Sequence, residues 1–143
     1  MELSTKQKGN ITEMQCAVAF MQHGFKVCFP YGEDCKYDMI VDTGKHLYRV
    51  QCKTASALPD KEDGFKFKTR SIVITTHGAK ASGYTEEEID VFATMYEGQC
   101  YVVPVQDCGM NEKTLRFRYP KNGQRKGITL AANYTLEQSK AFE

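Results

Sequence analysis

The stretch Tyr37-Asp38-Met39-Ile40-Val41-Asp42-Thr43-Gly44-Lys45-His46-Leu47-Tyr48-Arg49-Val50-Gln51-Cys52-Lys53 decides the reading of this chain. Two strand-like runs, Tyr37 to Val41 and His46 to Thr54, flank Asp42-Thr43-Gly44-Lys45, a polar segment with the glycine a tight turn favours, so the stretch predicts an antiparallel hairpin. Side chains alternate along a strand: Val50 and Cys52 point to one face, and Arg49, Gln51 and Lys53 to the other. Asp38, near the start of the first strand, approaches Gln51 and Lys53 across the pair. One carboxylate, one amide and one ammonium therefore converge at the edge of a small core.

Working toward the N-terminus, Ile11, Met14, Val18 and Met21 recur at three- and four-residue steps, Ala17 widens the stripe and Gly24 closes the segment. This spacing predicts a helix with that stripe buried, capped by Ser4 or Thr5 and weakened in its first turns by Gly9 and Asn10. Glu13 sits at the edge of the stripe, where a carboxylate is ordinarily a solvated group. A strand, Lys26 to Phe29, ends at Pro30, and Gly32 to Lys36 supplies a polar turn before the hairpin.

Beyond the hairpin, Leu58 to Lys68 reads as a charged loop, Ser71 to Thr76 as a β-branched strand, and Ala79 to Glu88 as a polar, partly helical stretch. Ile89 to Met95 and Gln99 to Val105 read as core strands joined at Tyr96-Glu97-Gly98. Leu115 to Tyr119 alternates, Pro120 to Gly127 is a basic turn, and Thr135 to Ala141 predicts a final helix capped by Thr135. The order predicts an α/β (α+β) chain, a mixed β-sheet flanked by helices. No glycine fingerprint for nucleotide phosphates follows the first strand, which excludes a doubly wound dinucleotide fold. At 143 residues, one domain spanning 1–143 is expected.

Six cysteines without a CxxC pair or zinc-ligand spacing predict reduced thiols and a cytoplasmic, intracellular setting. His23, His46 and His77 form no metal pattern. No apolar run of about 18 residues and no charged-then-apolar leader is present, so neither a membrane partner nor a signal peptide is expected. The net charge is only +1, but it is segregated. Lys113, Arg116, Arg118, Lys121, Arg125 and Lys126 crowd one segment, whereas Glu86, Glu87, Glu88 and Asp90 crowd another. Such segregation makes one face attractive to phosphate or is simply a solvated face.

The hairpin residues suit phosphodiester hydrolysis, which needs an activated water, neutralised phosphoryl charge and help for the leaving alkoxide. A divalent ion held by oxygen ligands serves all three needs. Asp38 is the anionic anchor for Mg²⁺, with Mn²⁺ as a substitute; the Gln51 side-chain carbonyl and the Cys52 backbone carbonyl offer neutral ligands. Lys53 is placed to orient water and to offset developing charge. Glu13 completes the site directly or through a metal-bound water. A structural alternative stands beside this one: Asp38 bonding backbone amides, with Gln51 and Lys53 ordinary residues on the wet side of a hairpin.

Lys8-Gly9-Asn10-Ile11-Thr12-Glu13, Gly24-Phe25-Lys26-Val27 with Pro30, Tyr37 to Asp42, Val50-Gln51-Cys52-Lys53-Thr54, Ile89 to Ala93 and Tyr101 to Pro104 together resemble the group I intron homing endonucleases built on the PD-(D/E)XK nuclease core, which is restriction-endonuclease-like. The likeness covers residues 5–105 and leaves 106–143 as a C-terminal extension without a matched motif. It implies a helix glutamate, a strand aspartate and a Gln-x-Lys at Glu13, Asp38, Gln51 and Lys53. It also implies Mg²⁺-dependent, site-specific cleavage of double-stranded DNA by a homo-oligomer, a dimer or a tetramer. A structure-selective nuclease such as a Holliday junction resolvase, and a DNA-binding module without turnover, are the alternatives.

For DNA contacts the sequence nominates Lys66, Lys68 and Arg70, spaced by two; His77 and Lys80 in a glycine-containing stretch; and Arg116 and Arg118, alternating on a later strand.

Overall fold

The computed structural model describes residues 1–143, the side chain of Val73 excepted. Helix α1 (Thr5–Gln22) starts at Ser4, whose hydroxyl accepts from the Gln7 amide while the Gln7 side chain accepts from the Ser4 amide. This reciprocal cap satisfies two otherwise unpaired N–H groups. The helix buries Thr12, Cys16, Ala17 and Phe20. The stripe predicted to face the core is on the outside: Ile11, Met14, Val18 and Met21 are 43%, 49%, 47% and 53% exposed. Small Cys16 and Ala17 let the helix lie close on the sheet, with Phe20 filling the space beside them, and the larger aliphatic residues are left pointing away.

The strands are β1 (Lys26–Cys28), β2 (Met39–Asp42), β3 (Leu47–Cys52), β4 (Ser56–Ala57), β5 (Gly64–Lys68), β6 (Arg70–Thr75), β7 (Gly78–Gly83), β8 (Val91–Tyr96), β9 (Gln99–Pro104) and β10 (Glu112–Arg116). A five-stranded sheet runs β1-β2-β3-β8-β9. Its neighbours are antiparallel except β3 and β8, which run parallel with Val50 opposite Val91 and Gln51 opposite Phe92. The hairpin register sets Met39 opposite Val50, and its turn is closed by the Gly44 amide donating to Asp42 Oδ1 at 2.8 Å.

Alternation gives the sheet two buried faces. Met39, Val41, Val50, Val91, Ala93 and Val102 pack against Cys16, Ala17 and Phe20 of α1 and against Leu136. Phe92, Tyr101 and Val103 face the other way, onto Phe65, Phe67 and Leu115 of a second, three-stranded sheet ordered β10-β5-β4. Burying such rings and aliphatic groups contributes roughly 2 kcal/mol each. Strands β6 and β7 form a separate two-stranded ribbon, with Arg70 paired to Gly83 at its base and Thr75 to Gly78 at its tip.

Three expectations are corrected. Leu58 to Lys68 is not all loop: Phe65 and Phe67 alternate with Lys66 and Lys68 on β5 and are completely or almost completely buried. Gly64 opens that strand at φ +146, where a Cβ would strike the Leu115 carbonyl oxygen and lie 2.8 Å from the Arg116 Cα. Ala79 to Glu88 contains most of β7 rather than helix. Thr135 to Ala141 forms no α-helix. Its chain runs beside β9, where Val102 N donates to Tyr134 O (2.8 Å) and Leu136 N to Cys100 O (3.0 Å), and ends in a single 3-10 turn, Lys140–Phe142. The main sheet is thus covered by one α-helix and one small sheet. Among the described residues no helix is long and apolar enough to cross a membrane.

The parallel pairing is fastened by Arg49 and Asp90. Asp90 Oδ2 accepts from the Arg49 amide at 2.7 Å and from Nε at 3.1 Å, and the Asp90 amide donates back to Arg49 O at 2.9 Å. The Arg49 guanidinium also reaches the carbonyl oxygens of Glu86 and Glu87. Burial raises the Asp90 carboxyl, but the side-chain and backbone hydrogen bonds from Arg49 outweigh it and hold the group below its ordinary range.

Candidate active site

Asp38 is held by the backbone on both sides. Its amide donates to Val50 O (2.8 Å), and its Oδ2 accepts from the Cys52 amide (2.8 Å). The carboxylate is therefore fixed against the end of β3, one residue before Lys53. Burial, opposed by the Cys52 hydrogen bond and by the charge of Lys53, leaves the Asp38 carboxyl raised above its ordinary range.

Gln51 faces Asp38 across the β2–β3 pair. Its amide satisfies both ends with the nitrogen inward, donating to Asp38 Oδ2 at 2.9 Å, to Asp38 Oδ1 at 3.3 Å and to Lys36 O at 3.0 Å, while its oxygen accepts from the Tyr84 hydroxyl at 3.1 Å. Turned over, the nitrogen donates to the Tyr84 hydroxyl at 3.1 Å and the oxygen meets acceptors alone. Those oxygens repel one another unless a cation lies among them.

Glu13 reaches the site from α1, whose position is aided by the Thr12 and Thr54 hydroxyls at 3.4 Å. Burial, and then the charge of Asp38, raises its carboxyl. The two carboxylates line one cavity of about 240 Å³ with Glu33, Cys35 and Tyr37. Lys53, close enough for its charge to act on Asp38, does not line that cavity. Its ammonium donates to Arg70 O and to the Tyr84 hydroxyl, each at 3.1 Å.

Lys53 opens onto a groove of about 550 Å³, walled by Lys66, Lys68 and Arg70 and by Thr5 and Gly9 near the start of α1. Arg70 Nε is buried and has no partner among the described residues. Lys66 pairs with Glu112 at 3.5 Å. Four cations, Lys53, Lys66, Lys68 and Arg70, thus line this groove against one carboxylate, Glu112.

Residues 3–137 match the PD-(D/E)XK endonuclease family. The chain belongs to that family. As a PD-(D/E)XK endonuclease it is a nuclease with DNA as its class of substrate. Its fold is similar to that of a bacterial homing endonuclease, I-Ssp6803I, with 24% identity, 93% of this chain and 89% of that chain covered, and a TM-score of 0.73. No curated protein matches it.

The structure of this PD-(D/E)XK endonuclease sets Asp38, at the entry of β2, against Gln51 of β3 and within the field of Lys53 just after β3, and brings Glu13 of α1 into the same cavity as Asp38. At Cys52 the hydrogen bond to Asp38 comes from the backbone amide. The backbone carbonyl that approaches Gln51 belongs to Lys36. Neither Lys36 nor Tyr84 was nominated as a site residue by the sequence, and Tyr84, 33 residues beyond Gln51, carries no local signal.

The nominated DNA contacts divide into three groups. Lys66, Lys68 and Arg70 line the groove. His77 and Lys80 stand exposed on the β6–β7 ribbon. Arg116 and Arg118 face acidic residues: Arg118 pairs with Asp63 at 2.8 Å and Asp60 at 3.3 Å, and Arg116 with Asp63 at 3.9 Å. They fasten the 60–63 turn to the β10 side of the small sheet.

PD-(D/E)XK nucleases generally use divalent metal ions. Among the described residues no three His, Cys, Asp or Glu side chains cluster as a metal site. The donor set nevertheless fits a hard divalent ion. It consists of the Asp38 carboxylate, the Gln51 side-chain oxygen and the Lys36 carbonyl, with the Glu13 carboxylate nearby. Two carboxylates raised by burial, one of them further by the other's charge, are what a bound cation would relieve.

Proposed function

We propose that this chain is a Mg²⁺-dependent endonuclease that cuts double-stranded DNA at a specific site, as homing endonucleases do. The observation that carries the reading is the Asp38–Gln51 pair, whose inward-turned amide oxygen would need a cation, set beside Lys53 at the mouth of a basic groove.

Asp38 and the Gln51 carbonyl hold the ion, with Glu13 joining directly or through water and the Lys36 or Cys52 backbone carbonyl filling a further place. Mn²⁺ would serve in place of Mg²⁺. The ion supplies a more acidic water and neutralisation of phosphoryl charge when bound. Lys53, held by Arg70 O and the Tyr84 hydroxyl, presents its ammonium to the attacking water and to the charge developing on phosphate. Lys66, Lys68 and Arg70 bind the backbone of the strand being cut. The ribbon, with His77 and Lys80, enters a groove of the duplex, a role suited to a two-stranded arm. Each chain holds one such centre and a duplex has two strands, so the cutting species is a homo-oligomer. The charge-free outer stripe of α1 (Ile11, Met14, Val18, Met21) is the surface offered to the second copy.

Incubation of the purified protein with linear duplex and with four-way junction DNA, in Mg²⁺ and in EDTA, tests the reading. Cuts at one duplex locus in Mg²⁺ alone are expected. Cuts confined to branch points would point to a structure-selective nuclease, and binding without cuts in either condition to a DNA-binding module.

A further inference from the structure

Tyr84 follows β7 directly, and its hydroxyl touches both Gln51 and Lys53. The ring is braced edge-on against Phe92, with centroids 5.3 Å apart and planes at 88°. Lys53 Nζ lies 4.8 Å from the ring centroid and Lys36 Nζ 5.7 Å, so two cations stand against the phenol ring.

A phenol hydroxyl has one proton to donate and oxygen lone pairs to accept with, whereas an ammonium only donates. Lys53 therefore takes an accepting position on the Tyr84 oxygen in every state. The proton and the remaining accepting capacity are left to the Gln51 amide, 3.1 Å away. With the amide nitrogen turned to Asp38, Tyr84 donates its proton to the Gln51 oxygen. With the amide oxygen turned to Asp38, Tyr84 accepts from the Gln51 nitrogen at the same distance and its own proton is released from the pair. Few side chains satisfy both orientations without moving. An arginine or lysine here could not accept, and a carboxylate could not donate when ionised.

We infer that Tyr84 is a positioning residue: its hydroxyl is the swivel partner that lets Gln51 turn its carbonyl onto a divalent cation held by Asp38, while keeping Lys53 in place. The inference rests on the proposed cation site. It assigns to Tyr84 the control of a ligand orientation, and it links that orientation to the base of the ribbon. Lys53 is held there by the first residue of β6, through Arg70 O, and by the residue after β7, and Arg70 and Gly83 are paired partners.

The test uses the intact, ¹⁵N-labelled protein without DNA, titrated with Mg²⁺ by calorimetry and by nuclear Overhauser measurements on the Gln51 side-chain amide, whose resonance is identified by its loss in Gln51→Glu. Mg²⁺ should bring the Gln51 NH₂ protons into contact with the Tyr84 ring protons, a contact weak or absent in the metal-free protein. Tyr84→Phe keeps the ring against Phe92. It should stay folded and keep its DNA affinity in Ca²⁺ yet cut about tenfold more slowly in a single turnover, as expected for one hydrogen bond to a charged group. Mg²⁺ uptake with no change in the Gln51 contacts would overturn the swivel alone, as would full-rate cutting by Tyr84→Phe. Absence of any Mg²⁺ uptake would overturn the cation site and the swivel with it.

Discussion

Asp38 and Gln51 meet across the β2–β3 pair: in the amide orientation that satisfies both ends of Gln51, its nitrogen stands 2.9 Å from an Asp38 carboxylate oxygen, a hydrogen bond in which one partner can reverse its polarity. A glutamate at position 51 could not do this. Two ionised carboxylates at that separation repel each other, and one of them would retain a proton until a cation arrived.

Gln51→Glu should therefore bind Mg²⁺ more tightly, on the order of tenfold, because the ligand set gains a charge. Calorimetry on the two proteins checks this. Unchanged affinity would remove Gln51 from the ligand set. Turnover need not rise with affinity, since charge and water geometry are separate matters.

The Asp38 carboxyl is raised by burial, which fixes a sign for stability against pH. Between the unfolded value, about 3.9, and the higher folded value, the native state holds more protons than the unfolded state. Ionised Asp38 therefore costs stability above its folded pKa, and the cost disappears as pH falls below the unfolded value. Asp38→Asn should melt higher than the native sequence at neutral pH in EDTA, with the difference closing in acid. Added Mg²⁺ should raise the melting temperature of the native sequence and leave the variant unmoved. Asp90 has the opposite sign: its contribution is present above the unfolded pKa and is lost as pH falls through the depressed folded value.

Lys68→Ala and Arg70→Ala should weaken binding to all duplex sequences alike, and each should reduce the slope of log affinity against log salt by about 0.9. Arg118→Ala should leave that slope almost unchanged, because its guanidinium is already paired with Asp60 and Asp63. Binding measured across a salt series separates the two groups.

The outer stripe of α1 predicts association. Met14→Lys combined with Val18→Glu puts charges on an exposed face and should leave the fold intact while shifting the mass in sedimentation to that of a single chain. Cutting of both strands should then fall much more than nicking. A monodisperse single chain for the native sequence would contradict this.

Much of the site was legible because it is local. Tyr37 to Lys53 is one hairpin, and period-two alternation alone puts Gln51 and Lys53 on one face. The family resemblance carried Glu13, which spacing alone left as a surface group. Other parts were hidden by competition between local and tertiary effects. Phe65 and Phe67 do alternate with lysines, but the neighbouring charges and Gly64 disguised β5 as loop. Gly78 to Gly83 has no β-branched residue and is a strand only through its ladder with β6. On α1 the best apolar periodicity marked the outer face, because the sheet selected small residues for close approach. Thr135 to Ala141 has helical spacing but gives its backbone to β9. Tyr84 could not be found by spacing, since its meeting with Gln51 and Lys53 depends on how the ribbon returns to the main sheet.

The most direct test is single-turnover cleavage of a duplex DNA library in Mg²⁺ by the native protein and by Asp38→Ala and Lys53→Ala, with binding to the same DNA measured in Ca²⁺. Cutting by the native protein, a loss of at least a thousandfold on the order of what essential active-site groups supply, and retained binding in both variants are predicted. Cleavage at the native rate by either variant would contradict the assignment of this hairpin as the cutting centre.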